Sequence, residues 1–325
     1  MNNQHKIYIT RKIPEIAEQM LKAKGYIVEV NPKDENLSKR KLIKILKKGE
    51  YTAVLSLLTD QIDQDVCEAS KGVKIFSNYA TGFDNINIEE AKKMGIMVAN
   101  SPAPLTPDAV AEQVIAFMFA LGKKIVDGDR FIRDGKYKGW VPMLFLGSDL
   151  QNKTLGLVGG GRIGEKTAQM ASALGLKIIY TDIKRNENLE NNYKAEYVDS
   201  IEKLLSLSDF VSLHVPLLPS TTHLMNEKTF ALMKPTAYLI NTARGAVIDE
   251  VALVKALESK TIAGAGLDVF EFEPKVNSRL KKLPNTILTP HIASASVSVR
   301  NQMAEISAQN IIDCLEGRTP KYIIN

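Results

Sequence analysis

Three short stretches in the second half of the chain carry charged side chains that could act together on a carbonyl group. They are NTARGAVID with Arg244, GLDVFEFEP with Glu273, and LTPHIAS with His291. When a hydride passes between a nicotinamide and a carbonyl, the oxygen needs a proton donor, and histidine suits that work near neutral pH. A carboxylate bonded to the other ring nitrogen would favour the protonated histidine, and an arginine beside the carbonyl would hold a substrate carboxylate.

Each of these residues also has a structural interpretation when it is taken alone. Arg244 could form a surface salt bridge, Glu273 could be a solvated loop acid, and His291 could be a hydrogen-bonded residue at a strand end. A metal site at His291 is disfavoured because no other histidine or cysteine is near it in the sequence. As a set at predicted strand ends, the three favour proton-coupled hydride transfer.

A glycine motif upstream predicts the site that would bind the hydride carrier. Gly159-x-Gly161-x-x-Gly164 lies between a predicted strand and a predicted helix. The first glycine permits a tight turn, the second lets the backbone approach a pyrophosphate, and the third lets the helix pack on the sheet. The motif alone is weak evidence, but the next strand, KIIYTD, ends in Asp182, eighteen positions after Gly164. The combination predicts a dinucleotide site.

The end of that second strand also bears on the choice of cofactor. The Asp182 carboxylate can accept hydrogen bonds from ribose hydroxyls, and it would repel a 2′-phosphate. NAD is therefore predicted in preference to NADP. Lys184 and Arg185 follow closely and could offset part of that repulsion.

The elements that must position these residues form two series of alternating strands and helices. Such alternation predicts parallel sheets covered by helices, here in two α/β units joined by a long helical segment over about residues 109–137. The first series of strands is KIYIT, YIVEV, AVLSLL, VKIFSN and IMVAN, and the second is TLGLVG, KIIYTD, FVSLHV, AYLINTA, GAGLDV and TILTP.

Composition excludes several classes of function. The 325 residues, net charge of +5 and hydrophobic fraction of 45% are typical of a globular protein with two domains. The densest basic segment, residues 38–50, has the spacing of an amphipathic helix and not of a nucleic-acid surface. Cys67 and Cys314 are isolated, so no disulfide framework or thiolate metal site is predicted. No membrane span or signal peptide is visible, and a soluble cytoplasmic protein is expected.

The order of these motifs resembles the D-isomer-specific 2-hydroxyacid dehydrogenases over essentially the whole chain. The resemblance implies a flavodoxin-like substrate domain and a Rossmann NAD-binding domain, both doubly wound. It implies that the C-terminal helix returns to the first domain. The expected division is 1–103 plus 294–325 for the substrate domain and 104–293 for the dinucleotide domain.

The resemblance also implies residue roles. Arg244 would bind the substrate carboxylate and carbonyl, while Glu273 would orient and charge His291, the proton donor. His223 and His5 match no family role and are expected to be ordinary surface or loop residues. A cofactor-contacting threonine near residue 106 is not assigned, because NSPAPLTPDAVAEQ is one residue longer than the family spacing. The full cofactor-binding set expected is Gly159, Gly161, Arg162, Ile163, Gly164, Asp182, His214, Val215, Pro216, Thr221, Thr242, Ala243, Arg244, Asp268 and His291.

Substrate recognition is implied at two further places. NYATGFDNIN resembles the loop whose backbone amides receive the substrate carboxylate, here Thr81 and Gly82. The single tryptophan, Trp140, resembles a family residue that reaches the pocket of the neighbouring subunit; an interdomain packing role is the alternative. The helix over 109–124 resembles the family's dimer element, so a homodimer is expected. The glyoxylate and hydroxypyruvate reductase branch is the most similar.

Alternatives remain open within and outside this enzyme class. A short D-3-phosphoglycerate dehydrogenase would need a basic group near the carboxylate loop, which NYATGFDNIN does not offer. D-lactate dehydrogenase is a further option. An NAD-sensing binding protein, similar to the corepressors that share this fold, is the alternative from another class. Turnover of a 2-keto acid distinguishes it from the enzymes.

Overall fold

Two parallel sheets with helices around them make up the described part of the chain. The structure is a computed structural model and describes residues 4–325. The chain divides into two units, Met1–Thr106 with Ala295–Asn325, and Pro107–Ser294. These bounds differ by at most three residues from the predicted division into 1–103 plus 294–325 and 104–293. The predicted α/β class with two doubly wound sheets is confirmed.

The first unit is built on a five-stranded sheet in the order β2-β1-β3-β4-β5, in which all neighbours are parallel. Polar residues that accept backbone N–H groups begin three of its helices, namely Ser38, Asp63 and Asn87. The elements are β1 (Lys6–Ile9), α1 (Ile16–Ala23), β2 (Ile27–Val30), α2 (Lys39–Gly49), β3 (Ala53–Leu57), α3 (Gln64–Ala69), β4 (Ile75–Tyr79), α4 (Ile88–Lys93) and β5 (Met97–Ala99).

The helical segment that follows is interrupted where one continuous stretch is predicted. Helix α5 (Thr106–Gly122) ends and α6 (Ile125–Arg133) begins around Lys124, which has a φ of 55°. A later segment crosses the chain at this point, because a Cβ on Gly147 would lie 2.2 Å from the Gly122 carbonyl oxygen. That carbonyl accepts the Ser148 N–H at 2.8 Å, so this crossing coincides with the end of α5.

The second unit contains a seven-stranded parallel sheet in the order β12-β11-β10-β9-β6-β7-β8. The strand order reverses between β6 and β9, which makes their carboxyl ends the place where open α/β sheets bind ligands. The two-residue strand β8 has no counterpart among the predicted strands, because so short a segment shows no periodicity. The elements are β6 (Thr154–Val158), α7 (Arg162–Ala173), β7 (Lys177–Thr181), α8 (Glu187–Tyr193), β8 (Glu196–Tyr197), α9 (Ile201–Leu207), β9 (Phe210–Leu213), α10 (Glu227–Phe230), β10 (Tyr238–Asn241), α11 (Glu250–Glu258), β11 (Gly264–Leu267) and β12 (Thr286–Leu288).

The last helix, α12 (Val297–Leu315), belongs to the first unit. It packs on β4, where the Ser77 hydroxyl donates to the Ser307 carbonyl at 2.9 Å and the Tyr79 hydroxyl to the Arg300 carbonyl at 2.8 Å. None of the helices within residues 4–325 is long and apolar enough to cross a membrane.

Candidate active site

The glycine motif forms the turn between β6 and α7. Gly159 has a φ of 105°, and a Cβ there would lie 2.9 Å from the His214 carbonyl carbon. A Cβ on Gly164 would lie 2.3 Å from the Gly159 oxygen, so the fold itself requires both glycines. A Cβ on Gly161 would meet no described atom within 4 Å. The predicted residues Gly161, Arg162 and Ile163 therefore present the first turn of a 12-residue helix, with its unpaired N–H groups, beside open space.

Asp182 lies beside this turn and is held there by the backbone. Its carboxylate accepts the Gly160 N–H at 2.7 Å and the Ile183 N–H at 2.6 Å. Arg185, which the sequence offers as a partner for a 2′-phosphate, is bound by both Glu190 oxygens at 2.9 and 2.6 Å and lies over the Tyr197 ring. The negative charge next to the glycine turn is therefore not offset by Arg185.

Unsatisfied polar atoms lie just after β9 and β10. Both ring nitrogens of His214 and the hydroxyl of Thr242 are buried with no hydrogen-bond partner within residues 4–325. Burial lowers the pKa of His214 to about 4, so its imidazole is neutral at neutral pH. Buried polar groups are normally paired, so these atoms, together with the open glycine turn, fit a bound polar ligand such as a dinucleotide.

The loop after His214 contains three more of the predicted cofactor residues, Val215, Pro216 and Thr221. The Thr221 hydroxyl closes this loop, since it donates to the Pro216 carbonyl at 2.6 Å and accepts the Leu218 N–H at 2.8 Å. The threonine thus shapes the loop, and its contact with a cofactor stays a prediction.

His291 and Glu273 are bonded side chain to side chain, as the sequence predicts. His291 Nδ1 lies 3.0 Å from Glu273 Oε2, and the two side chains are 33% and 32% exposed. Burial alone would raise the pKa of Glu273, but its hydrogen bond to His291 and the nearby charge of Arg244 lower it, so the carboxyl is ionised. The Nε2 atom of His291 is the ring nitrogen that remains for a reacting oxygen.

Asp268 holds the segment that carries His291. It is fully buried, and its carboxylate accepts the Thr289 hydroxyl and the N–H groups of Ile292 at 2.8 Å and Ala293 at 2.7 Å. The His291 N–H donates to the Asp268 carbonyl at 2.8 Å, which supports the positive φ of 56° at the histidine. The observed role of Asp268 is therefore to fix this turn, and its expected contact with the cofactor stays a prediction.

Arg244 follows β10 and approaches the Glu273 segment closely. A Cβ on Gly245 would lie 1.9 Å from the Phe270 carbonyl carbon, so only glycine lets the two segments meet here. The Asn241 side chain fixes the turn, donating to the Arg244 carbonyl at 2.9 Å and accepting the Ala243 N–H at 3.0 Å. The three predicted residues of the chemistry thus lie at one edge of one sheet.

The predicted carboxylate loop follows β4 in the first unit. Three consecutive carbonyls each accept a hydrogen bond. The Ala80 carbonyl accepts the Ser101 N–H at 2.8 Å, the Thr81 carbonyl accepts Asn100 Nδ2 at 2.6 Å, and the Gly82 carbonyl accepts Asn78 Nδ2 at 3.0 Å. In each trans peptide the N–H points opposite to the carbonyl. The N–H groups of Thr81, Gly82 and Phe83 therefore point away from these donors, and they have no acceptor among residues 4–325. Such a run of free amides suits an anion.

Trp140 lies in the segment after α6 and is 83% exposed. Its neighbours Tyr137, Val141, Met143 and Leu146 are also more than half exposed. The role of Trp140, at a neighbouring subunit or as an interdomain packing anchor, stays a prediction. A run of exposed apolar side chains is typical of a surface that a partner covers.

Two histidines without predicted roles also have defined surroundings. His5 packs edge-on against the Tyr26 ring. His223 lies in a turn with its side chain 45% exposed, and it is paired with Glu271, Nε2 to Oε1 at 2.7 Å. No local sequence signal marks this pair, because the partners are 48 residues apart. Within residues 4–325 no group of three or more metal-ligating side chains is assembled.

Comparison with known proteins gives consistent matches. Residues 115–293 match the family described as D-isomer specific 2-hydroxyacid dehydrogenase, NAD binding domain. A glyoxylate reductase of Thermococcus litoralis is 47% identical, over 98% of this chain and 96% of that protein. One from Pyrococcus horikoshii is 46% identical over the same shares. A crystal structure of a Thermus thermophilus protein has a TM-score of 0.92 and 38% identity, covering 98% of this chain and 100% of that chain.

Proposed function

Because the chain belongs to the D-isomer-specific 2-hydroxyacid dehydrogenases, we propose that it reduces a small 2-keto acid, glyoxylate or hydroxypyruvate, to the 2-hydroxy acid. Membership makes it an NAD(P)-dependent oxidoreductase. The observation that carries the proposal is the His291–Glu273 pair at 3.0 Å, next to Arg244 and on the same sheet as the dinucleotide turn. Glyoxylate is favoured because the most similar relatives named above are glyoxylate reductases.

The residues that would hold the cofactor are those around the carboxyl ends of β6, β7, β9 and β10. The amides at the start of α7 would bind the pyrophosphate, and Asp182 would bind the ribose hydroxyls. The unsatisfied atoms of His214 and Thr242 would gain partners there. The bound dinucleotide supplies the hydride that reduces the carbonyl carbon.

His291 supplies the proton in this mechanism. Its Nε2 donates to the carbonyl oxygen as negative charge develops there, and the C=O bond becomes a C–OH bond. Glu273 keeps the ring oriented through Nδ1 and stabilises the imidazolium before transfer. Arg244 pairs with the substrate carboxylate and polarises the carbonyl. Partial exposure of His291 lets water return the proton after each turnover.

The substrate carboxylate is also assigned to the backbone amides of Thr81 and Gly82. The carbonyls of the same two peptide groups, Ala80 and Thr81, are held by the Ser101 N–H and the Asn100 side chain, which leaves the amides free for an anion. The segment NYATGFDNIN contains no lysine or arginine, so a phosphorylated substrate is disfavoured.

NAD is proposed in preference to NADP. The Asp182 carboxylate would repel a 2′-phosphate, and Glu190 occupies the nearby Arg185. Measuring kcat/KM with both cofactors tests this assignment, and a preference for NADPH would contradict it.

A homodimer is proposed, with Trp140 at the border of the partner's substrate pocket. The support is the exposed apolar run around Trp140, which a second copy would cover. Light scattering should give twice the chain mass, and Trp140→Ala should change substrate preference more than NADH affinity. A monomer, or unchanged kinetics over a panel of 2-keto acids, would contradict this assignment. A cytoplasmic location is also proposed, because both cysteines are free and buried.

The decisive test of the function is NADH oxidation with glyoxylate, hydroxypyruvate, pyruvate and 3-phosphohydroxypyruvate. We expect the highest kcat/KM with glyoxylate or hydroxypyruvate. A preference for pyruvate would favour a D-lactate dehydrogenase, and one for the phosphorylated acid a D-3-phosphoglycerate dehydrogenase. Absence of turnover with all four would favour the NAD-sensing binding protein.

A further inference from the structure

A second imidazole–carboxylate pair, His223 with Glu271, lies near the pair assigned to catalysis. Glu271 is two residues before Glu273 in the sequence. His223 Nε2 is 2.7 Å from Glu271 Oε1, and the Glu271 side chain is only 11% exposed. The histidine backbone is fixed, since its N–H donates to the Ala246 carbonyl at 2.9 Å and its carbonyl accepts Asn226 Nδ2 at 3.0 Å. The imidazole thus approaches Glu271 from a rigid turn.

Glu271 is in turn bound to the start of α11. Its Oε2 accepts the Glu250 N–H at 3.1 Å, and the Glu271 N–H donates to Glu250 Oε2 at 3.1 Å. Glu250 is 5% exposed and also accepts the Asn277 N–H at 3.0 Å, so it closes both ends of the 271–277 segment. Both carboxylates therefore bind the same short segment, and His223 is hydrogen-bonded to one of them.

The segment that these contacts hold is the one that carries Glu273. The Glu273 carboxylate accepts the Phe270 N–H at 3.0 Å through Oε1 while its Oε2 pairs with His291. Phe270 itself lies against Gly245, next to Arg244. A shift of Glu271 would therefore move the residue that fixes the Glu273 carboxylate, and with it the partner of His291 Nδ1.

We infer that His223 is a positioning residue for the reaction: through Glu271 it holds the 270–273 segment so that Glu273 stays bonded to His291. The inference rests on the proposed function, in which His291 donates the proton. His223 touches neither substrate nor cofactor in this assignment. The charged groups around the segment are Glu271 and Glu250 on the His223 side, and Arg244, Glu273 and His291 on the other.

Two substitutions test the contact between His223 and Glu271 separately from the backbone conformation of His223. His223 has a φ of 51°, a conformation that asparagine tolerates, but the His223→Asn amide is too short to reach Glu271. In His223→Gln the amide nitrogen can take the place of Nε2 and restore the bond. Arg279→Gln is the matched control, because it removes an ion pair with Glu258 in the same unit that does not touch residues 270–273.

Two readouts are combined. With glyoxylate and NADH, kcat of His223→Asn should fall by about tenfold while KM for glyoxylate stays as in the wild type, because His291 loses its well-placed partner. Affinity for NADH should stay as in the wild type. Independently of turnover, the ¹⁵N NMR signals of the His291 ring show whether its proton stays on Nδ1, which the bond to Glu273 favours.

The outcomes are distinguishable. Restoration of kcat and of the Nδ1 signal in His223→Gln, with Arg279→Gln like the wild type, supports the inference. A wild-type kcat and Nδ1 signal in His223→Asn overturn it, as does an equal loss of kcat in all three variants with an unchanged Nδ1 signal. If the wild type turns over no 2-keto acid, the proposed function fails, and the Nδ1 signal alone decides the inference.

Discussion

Replacing Glu273 by glutamine tests the proton-donor mechanism most directly. The substitution keeps an oxygen for the Phe270 N–H but removes the negative charge 3.0 Å from His291 Nδ1. At a charge separation of about 4 Å the attraction is about 1 kcal/mol in bulk water and about 4 kcal/mol at an effective dielectric constant of 20. Since both side chains are a third exposed, solvent screening places the effect at about 1–2 kcal/mol, or about tenfold in rate.

The sign follows from the proton that His291 gives up during reduction. Glu273 orients the ring and stabilises the charge of the proton donor, so its removal raises the free-energy barrier to proton transfer. The kcat for glyoxylate reduction should therefore fall by about tenfold in Glu273→Gln, with NADH affinity unchanged. Glu258→Gln, which removes a carboxylate paired with Arg279 elsewhere in the unit, is the control. An unchanged kcat in Glu273→Gln, or an equal loss in Glu258→Gln, would refute the reasoning.

Three further predictions address the proton donor, the cofactor and the carboxylate loop. His291→Asn should lower kcat by about 10²–10⁴-fold with NADH affinity kept, and parallel losses of both in stopped-flow and binding assays would contradict proton donation. Glu190→Gln frees Arg185 from its bidentate pair with Glu190. The ratio of kcat/KM for NADPH to that for NADH should then rise by several-fold, up to about tenfold. An unchanged ratio would show that Arg185 does not reach a 2′-phosphate. Asn100→Asp removes the donor that holds the Thr81 carbonyl and adds a negative charge that repels the substrate carboxylate. The KM for glyoxylate should therefore rise by about tenfold or more. A lower kcat at unchanged KM would argue against a carboxylate site there.

Much of the fold is visible in the sequence because its signals are local. Each strand of the two sheets except β8 coincides with a predicted apolar run, and several of the helices between them begin at polar caps. The break at Lys124 is different in kind. Nothing in the apolar pattern of 109–137 marks it, because it coincides with a distant segment that crosses the chain at Gly122.

The candidate site divides in the same way. Arg244, Glu273 and His291 can be selected because their motifs stand at strand ends downstream of a glycine turn, and parallel strands bring such ends to one edge. The roles of Asn78 and Asn100 cannot be selected in this manner. Their roles depend on which carbonyl each side-chain amide reaches. That is fixed only when β4 and β5 lie side by side.

The sequence by itself determined the class of chemistry, since the residue types, their order and the dinucleotide turn are properties of short segments. Tertiary structure decided which side chains become partners. His291 meets Glu273 across 18 residues and His223 meets Glu271 across 48. Contacts at these separations depend on strand order and on how closely loops, such as those at Gly245 and Phe270, can approach each other. No local sequence pattern encodes these contacts, because their free energy depends on the packing of the whole unit.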